Sequence, residues 1–137
     1  VRLYRLSAEQ GYATAQFNLA YCYENGLGVE HNIEEAIRLY KLVAEQNDPV
    51  AQNNLGVCYE KGLGVEQDYA EAVRLYRLSA EQGYATAQFN LAHCYEEGLG
   101  VEQNIEEAIR LYKLAAEQGD EDSIARLEEL KKNQDEI

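Results

Sequence analysis

The sequence contains no Met and no Trp, one Pro (Pro49) and only two Phe. Cysteine is nearly as scarce, with Cys22, Cys58 and Cys94. Basic residues number 12 against 25 acidic ones, for a formal charge of −13. Each shortage excludes something. Binding along a phosphate backbone needs a basic stripe, so nucleic acid is not an expected partner. No apolar run approaches the roughly 18 residues of a membrane-spanning helix, so no membrane partner is expected either. No charged-then-apolar leader opens the chain. It starts Val1-Arg2-Leu3-Tyr4, without Met, and on that ground reads as a fragment, a processed product or an engineered piece. What is left is 137 residues, 46% hydrophobic and 27% charged, which suits one folded domain or one short repeat array.

Repetition is what the chain has in abundance. Cys-Tyr-Glu recurs at Cys22, Cys58 and Cys94, each 36 residues from the last. Gly-Leu-Gly-Val-Glu recurs at Gly26, Gly62 and Gly98, and Ala-Glu-Gln at Ala8, Ala44, Ala80 and Ala116, with the same spacing. The chain divides into a half repeat (1–10), three full repeats (11–46, 47–82, 83–118) and a terminal segment (119–137). A second period lies above the first. Segments 1–46 and 73–118 differ at four positions only: Tyr21/His93, Asn25/Glu97, His31/Gln103 and Val43/Ala115. Such likeness means recent tandem duplication or deliberate design.

Each repeat reads as two helices. In the middle repeat Asp48-Pro49 supplies an N-cap followed by Pro at the first helical position. Ala51, Leu55, Cys58 and Tyr59 then recur at helical spacing until Gly62 stops the run. After the turn Gly62-Leu63-Gly64-Val65, Asp68…Glu71 forms a capping box, as do Asn32…Glu35 and Asn104…Glu107. Ala72, Leu75, Tyr76 and Ala80 make the stripe of the second helix. Gly83 ends it, and Asn47 takes that place once. One helix pair cannot bury both stripes alone, so the pairs must stack into a superhelical solenoid.

The pattern Leu55-Gly56-x-x-Tyr59-x-x-Gly62-x-Gly64-Val65, then Asp68, Ala72, Tyr76, Ala80-Glu81-Gln82-Gly83, Ala87 and Leu91, resembles the Sel1-like repeat, a relative of the tetratricopeptide repeat. The resemblance spans essentially the whole chain. Its one mild departure is Ala20 and Ala92 where Gly56 carries the family's Gly. It implies an all-α, right-handed superhelical solenoid of about eight helices in antiparallel pairs, and no cofactor. In the terminal segment Ile124, Leu127 and Leu130 continue one apolar stripe, whereas Glu128, Glu129, Lys131 and Lys132 face elsewhere, as in a solvated capping helix. Residues 1–10 form a second helix without its first. Leu3, Tyr4 and Leu6 are therefore expected either to self-associate or to sit under a missing upstream repeat.

Catalytic and metal chemistry find little support. The three Cys occupy one repeat position, on the order of 10 Å apart at helix-packing distance. A disulfide needs Cα atoms within ~7 Å, and tetrahedral zinc needs four ligands at one point. They read as small buried hydrophobes. His93 and Cys94 are adjacent on a helix and so point about 100° apart. Some relatives have been described as β-lactamase-like, which would want Ser-x-x-Lys. Ser7, Ser79 and Ser123 are followed three residues on by Gln10, Gln82 and Arg126. Glu34, Glu35, Glu106 and Glu107 suit helix first turns and can pair with Arg38 and Arg110. The columns Arg2, Arg38, Arg74, Arg110 and Arg5, Lys41, Arg77, Lys113 read as a solvated ladder on the second helices, with a docking stripe for an acidic partner as the lesser reading. Unpaired cysteines favour a reducing cytosol, although relatives also occur in secretory and envelope settings.

The first helices carry the functional expectation. In related repeats these helices line the concave groove. The resemblance places Thr14, Phe17, Asn18 and Tyr21 there, then Val50, Asn53, Asn54 and Val57, then Thr86, Phe89, Asn90 and His93. Glu24, Glu60 and Glu96 would form the groove edge. Phe17, Tyr21, Phe89 and His93 are expected as exposed anchors and the Asn amides as partners for a peptide backbone. Packing of Phe17 and Phe89 against a neighbouring helix is the other reading. The groove's only Lys is Lys61, so the basic clamp that related repeats use on acidic peptide ends is missing. The expected function is a non-catalytic interaction module for a neutral-to-basic, partly apolar protein or peptide. The alternative is an engineered or consensus-like scaffold, or a structural fragment, with no cognate ligand.

Overall fold

Short acceptors and left-handed residues set the helix boundaries. The computed structural model describes residues 13–28 and 30–135. Among them are seven α-helices and no strand: α1 (Ala13–Asn25), α2 (Ile33–Glu45), α3 (Pro49–Lys61), α4 (Tyr69–Glu81), α5 (Ala85–Glu97), α6 (Ile105–Glu117) and α7 (Glu121–Asp135). Odd-numbered helices are the first of each pair and even-numbered helices the second. The segment holding Leu3, Tyr4 and Leu6 lies outside the described residues.

At α3 the Asp48 carboxylate accepts from the Ala51 N–H at 2.9 Å, with Pro49 in the first turn. Asn32, Asp68 and Asn104 cap α2, α4 and α6 by accepting, at 3.1 Å, from the N–H of the Glu three residues on. The capping boxes close on that arm only. The cap residue's own N–H donates instead to the preceding first helix: Asn32 to Tyr23, Asp68 to Tyr59 and Asn104 to Tyr95, each at 2.9 Å. The tight turn brings that N–H beneath the open carbonyls of the helix end. Glu35, Glu71 and Glu107 are thereby left to pair with Arg38, Arg74 and Arg110.

The principal packing is between helices consecutive in sequence, from α1 on α2 through to α6 on α7. This is a solenoid of antiparallel helix pairs whose core forms two clusters along the array, with Tyr59 packed against both. Both expected stripes of the middle repeat are buried, apart from the half-buried Tyr59. Tyr40 and Tyr76 are 0% exposed and Tyr112 1%. Close approach depends on small residues. A Cβ on Gly56 would lie 2.7 Å from Cε1 of Tyr76, and the equivalent Ala20 and Ala92 are fully buried. The turns of the second and third repeats rest on the preceding second helix, so that a Cβ on Gly100 would lie 2.4 Å from the Tyr69 carbonyl oxygen.

Buried amides lock successive pairs together. Gln52 donates to the Ala44 carbonyl of the preceding second helix at 3.4 Å and accepts from Gln82 of its own pair at 2.8 Å. Gln88 and Gln118 repeat the arrangement, and Gln46 donates to Gln16 at 2.8 Å.

The last helix departs from the pattern in three places. Leu127 and Leu130 pack on the final core cluster. Ile124, expected in the same stripe, is instead 40% exposed. It stands at the position of Gln52 and Gln88, which are covered by their second helices, whereas among the described residues no second helix packs beyond α7. Glu128 replaces the small residues Ala20, Gly56 and Ala92. A second helix could not approach α7 as α4 approaches α3. Glu128, Glu129, Lys131 and Lys132 are all exposed, as a capping helix requires.

Candidate protein-interaction face

The first helices lie side by side. Asn90 on α5 donates from Nδ2 to Oδ1 of Asn53 on α3 at 2.9 Å. Asn54 on α3 lies beside the Tyr40 hydroxyl of α2. On this shared face Tyr21 and His93 are exposed, Tyr21 by 49%. Asn18, Asn54, Val57 and Asn90 are half-buried beside them. The side chain of Thr14 is outside the described residues, Val50 is half-buried and Thr86 is exposed.

The two Phe do not stand free as anchors. Phe17 and Phe89 are half-buried, with their rings tilted against Tyr40 and Tyr112 at centroid distances of 5.8 and 5.6 Å. The paired second helix reaches past the stripe of Leu19, Cys22 and Tyr23 with its Tyr40 ring, so the apolar stripe is wider than those three residues. Phe17 sits on the extra width. Asn53 is also withdrawn, being only 3% exposed and paired with Asn90.

The acidic column is structural as well. The hydroxyls of Tyr40, Tyr76 and Tyr112 donate to Glu24, Glu60 and Glu96, at 3.2 Å for Tyr76 and 2.8 Å for Tyr112. A buried phenol needs an acceptor, and these carboxylates supply it. Glu24 and Glu60 are half-buried, whereas Glu96 is 6% exposed and does not line an open edge. Burial, and next the Glu24 carboxylate for Tyr40 and Tyr112's own Glu96, pushes these phenols well above their ordinary range. Tyr76 is raised in the same way.

All three cysteines are free and buried. Burial pushes the Cys58 thiol up to about 11 and the Cys94 thiol to about 12. Both are protonated at neutral pH and are poor nucleophiles and poor metal ligands. His93 faces outward while Cys94 faces inward, so the adjacent pair does not converge. On the second helices the Arg38, Arg74 and Arg110 pairs are exposed, as a solvated ladder should be.

Sequence reasoning missed three sets of contacts. They are the glutamine ladder, the Tyr–Glu pairs and the Arg126–Glu96 ion pair. The first two had a signal: Gln16/Gln52/Gln88, Gln46/Gln82/Gln118 and the Tyr and Glu columns are unchanged in every repeat. The last had none, because Arg126 belongs to the segment that leaves the repeat.

Stacked antiparallel helix pairs, with one face built from first helices, define an α-solenoid repeat protein. The chain belongs to the Sel1 repeat family, whose model matches residues 1–12, 13–48, 49–84 and 85–120. Proteins of this family are generally protein-interaction modules. Among solved structures, a protective antigen of uropathogenic Escherichia coli strains displaying this fold is 43% identical, with a TM-score of 0.89. The match covers 90% of this chain and 27% of that one. A Sel1 repeat protein from Oxalobacter formigenes is 42% identical with a TM-score of 0.82, over 86% of this chain and 49% of the other. The chain thus spans about a quarter and about a half of these relatives. Cysteine rich protein B of Helicobacter pylori shares the fold at 23% identity and a TM-score of 0.72, over 88% and 92% of the two chains. No curated protein matches.

Proposed function

We propose that the chain binds a protein or peptide segment along the face of its first helices and performs no chemistry on it. The supporting observation is the row formed by exposed Tyr21, half-buried Val57 and exposed His93, flanked by Asn18, Asn54 and Asn90. Rings and an aliphatic side chain give contact area at low entropic cost, and neighbouring amides match a peptide backbone. The partner is neutral to basic and partly apolar. Among the described residues Lys61 is the one cation that α1, α3 and α5 bring to this face, and the Glu24, Glu60, Glu96 column lies beneath it, so an acidic tail finds little to hold. Protonated, buried thiols and the missing Ser-x-x-Lys weigh against an enzyme.

The test is Tyr21→Ala combined with His93→Ala, two exposed sites whose loss leaves the core intact. Binding to an array of short synthetic peptides should fall by roughly tenfold, in keeping with exposed aromatic contacts at an interface, with helicity unchanged by circular dichroism. The near-identity of 1–46 and 73–118 favours the second reading, a scaffold without a ligand. Wild-type protein that binds no peptide better than the double variant would establish that reading and end ours.

A further inference from the structure

Aligning the three repeats by position leaves only three places where all three differ. They are Val43/Ser79/Ala115, Tyr21/Val57/His93 and Asn25/Lys61/Glu97. The first set is fully buried, and its differences have an internal cause: Ser79 donates to the Pro49 carbonyl at 2.7 Å. The other two sets lie on the surface of the first helices, one turn apart. Residues four apart on a helix share a face, and the Asn25 amide indeed donates to the Tyr21 carbonyl at 2.9 Å. Of the four differences between the near-identical segments 1–46 and 73–118, two fall on these same positions. Sequence variety in this chain is concentrated on the face assigned to binding.

Local stability does not account for it. Lys61 and Glu97 end equivalent helices, where the helix dipole favours a cation. Lys61 fits that preference and Glu97 opposes it. Among the described residues neither takes part in an ion pair. An exposed, unpaired anion where the helix would take a cation is a group available to something outside the chain.

From this we infer that the face reads an ordered segment: an apolar side chain against Tyr21 and Val57, an acidic one against Lys61, then a basic one against Glu97. The inference rests on the binding role proposed above and adds order and direction to it. Spacing follows from elementary geometry. Neighbouring packed helices are about 10 Å apart, and the Asn90–Asn53 bond makes α3 and α5 neighbours. A polyproline II segment rises about 3.1 Å per residue with three residues per turn. Side chains three apart therefore lie on one side at nearly the repeat spacing.

Two fluorescent peptides of equal composition provide the probe, Leu-Pro-Pro-Asp-Pro-Pro-Lys and Leu-Pro-Pro-Lys-Pro-Pro-Asp. Turning the second peptide end to end does not recreate the order of the first. By fluorescence polarisation at low salt, the wild-type chain should prefer the first by roughly fivefold, as expected for two exposed ion pairs. The double charge swap, Lys61→Glu with Glu97→Lys, should reverse the preference while leaving the thermal melt within a few degrees. Equal binding of both peptides, or a preference that survives the swap, overturns the ordered reading but leaves binding on this face standing. Failure of both peptides to bind overturns it too. Loss of array binding in the Tyr21/His93 variant then decides separately whether the face binds at all.

Discussion

Arg126 on α7 donates from Nε to Oε1 of Glu96 on α5 at 2.9 Å, and its Nη2 meets Oε2 of the same carboxylate. Two parallel contacts between a guanidinium and a carboxylate form a charge-assisted fork. The Arg126 guanidinium, helped by the Tyr112 hydroxyl, holds the Glu96 carboxyl below its usual range against the opposing effect of burial. Arg126 occupies the position of Asn18, Asn54 and Asn90. Inside the array that position carries an amide, and at the end it carries a charge.

Arg126→Ala should therefore destabilise the chain by about 1–3 kcal/mol, since it leaves a nearly buried carboxylate without its cation; the figure is discounted from the fully buried case because Arg126 is itself partly exposed. Urea titration at neutral pH measures this. The effect should depend on pH in one direction. A depressed carboxyl contributes fully above its unfolded value, 4.5 for Glu, and loses the contribution as pH falls through the folded value. The gap between wild type and variant should close below that range. An unaltered midpoint at pH 7 would show that α7 is held by its apolar contacts alone.

Two glycine substitutions separate backbone strain from steric collision. Gly100 and Gly119 both have left-handed φ, +71 and +87. A Cβ on Gly119 meets nothing within 4 Å, whereas one on Gly100 meets backbone at 2.4 Å. Gly119→Ala should cost about 1 kcal/mol, the left-handed penalty alone. Gly100→Ala should cost about 3 kcal/mol or more, because the turn must also lift off Tyr69. Equal thermal shifts in the two variants would contradict the close packing of turn on helix.

Gln52→Leu tests the amide ladder at constant volume. The Ala44 carbonyl loses its side-chain donor but keeps the Asn47 N–H at 3.0 Å, while Gln82, which is exposed, can turn to water. An expected loss of about 1 kcal/mol follows from removing one intramolecular hydrogen bond. Amide hydrogen exchange should rise mostly at the junction of α2 and α3. A variant as stable as wild type would make the ladder incidental.

Alkaline pH should reveal the tyrosine column. Tyr40, Tyr76 and Tyr112 have raised values in the folded chain, chiefly through burial. Their contribution to stability is complete below the unfolded value of about 10 and is lost as pH rises beyond it, since only the unfolded chain then releases those protons. Phenolate absorbance should show three of the 11 Tyr resisting titration until the far-ultraviolet signal collapses. Ionisation of all tyrosines in one step, with helicity retained, would mean that the Tyr–Glu pairs are open to solvent.

Helix starts and ends, and the stripe that fills the core, are legible in the sequence because the 36-residue period states each local signal three times. Asp48, Asn32 and Gly62 act within four residues of their own position, so stacking cannot overrule them. Phe17 is different. Whether it faces solvent depends on how the second helix carrying Tyr40 sits against α1, which is a property of the assembled pair. Ile124 departs for the converse reason, since its pattern continues the stripe while no second helix among the described residues covers it. Glu24, Glu60 and Glu96 look like a surface column until the Tyr hydroxyls of the next helix are seen to need acceptors. The positions proposed for binding, Tyr21, Val57 and His93, are legible both from the repeat register and from their variety.

Glu128 has a consequence beyond its own helix. An array of near-identical units is a one-dimensional lattice, and its natural failure is growth: a second helix from one molecule laid on the open first helix of another would lengthen the rod without closing it. Where the internal sites hold a hydrogen or a methyl group, this last one holds a carboxylate on a two-carbon arm. A single side chain thus turns the final lattice site into one that accepts no successor in the register of the repeats before it.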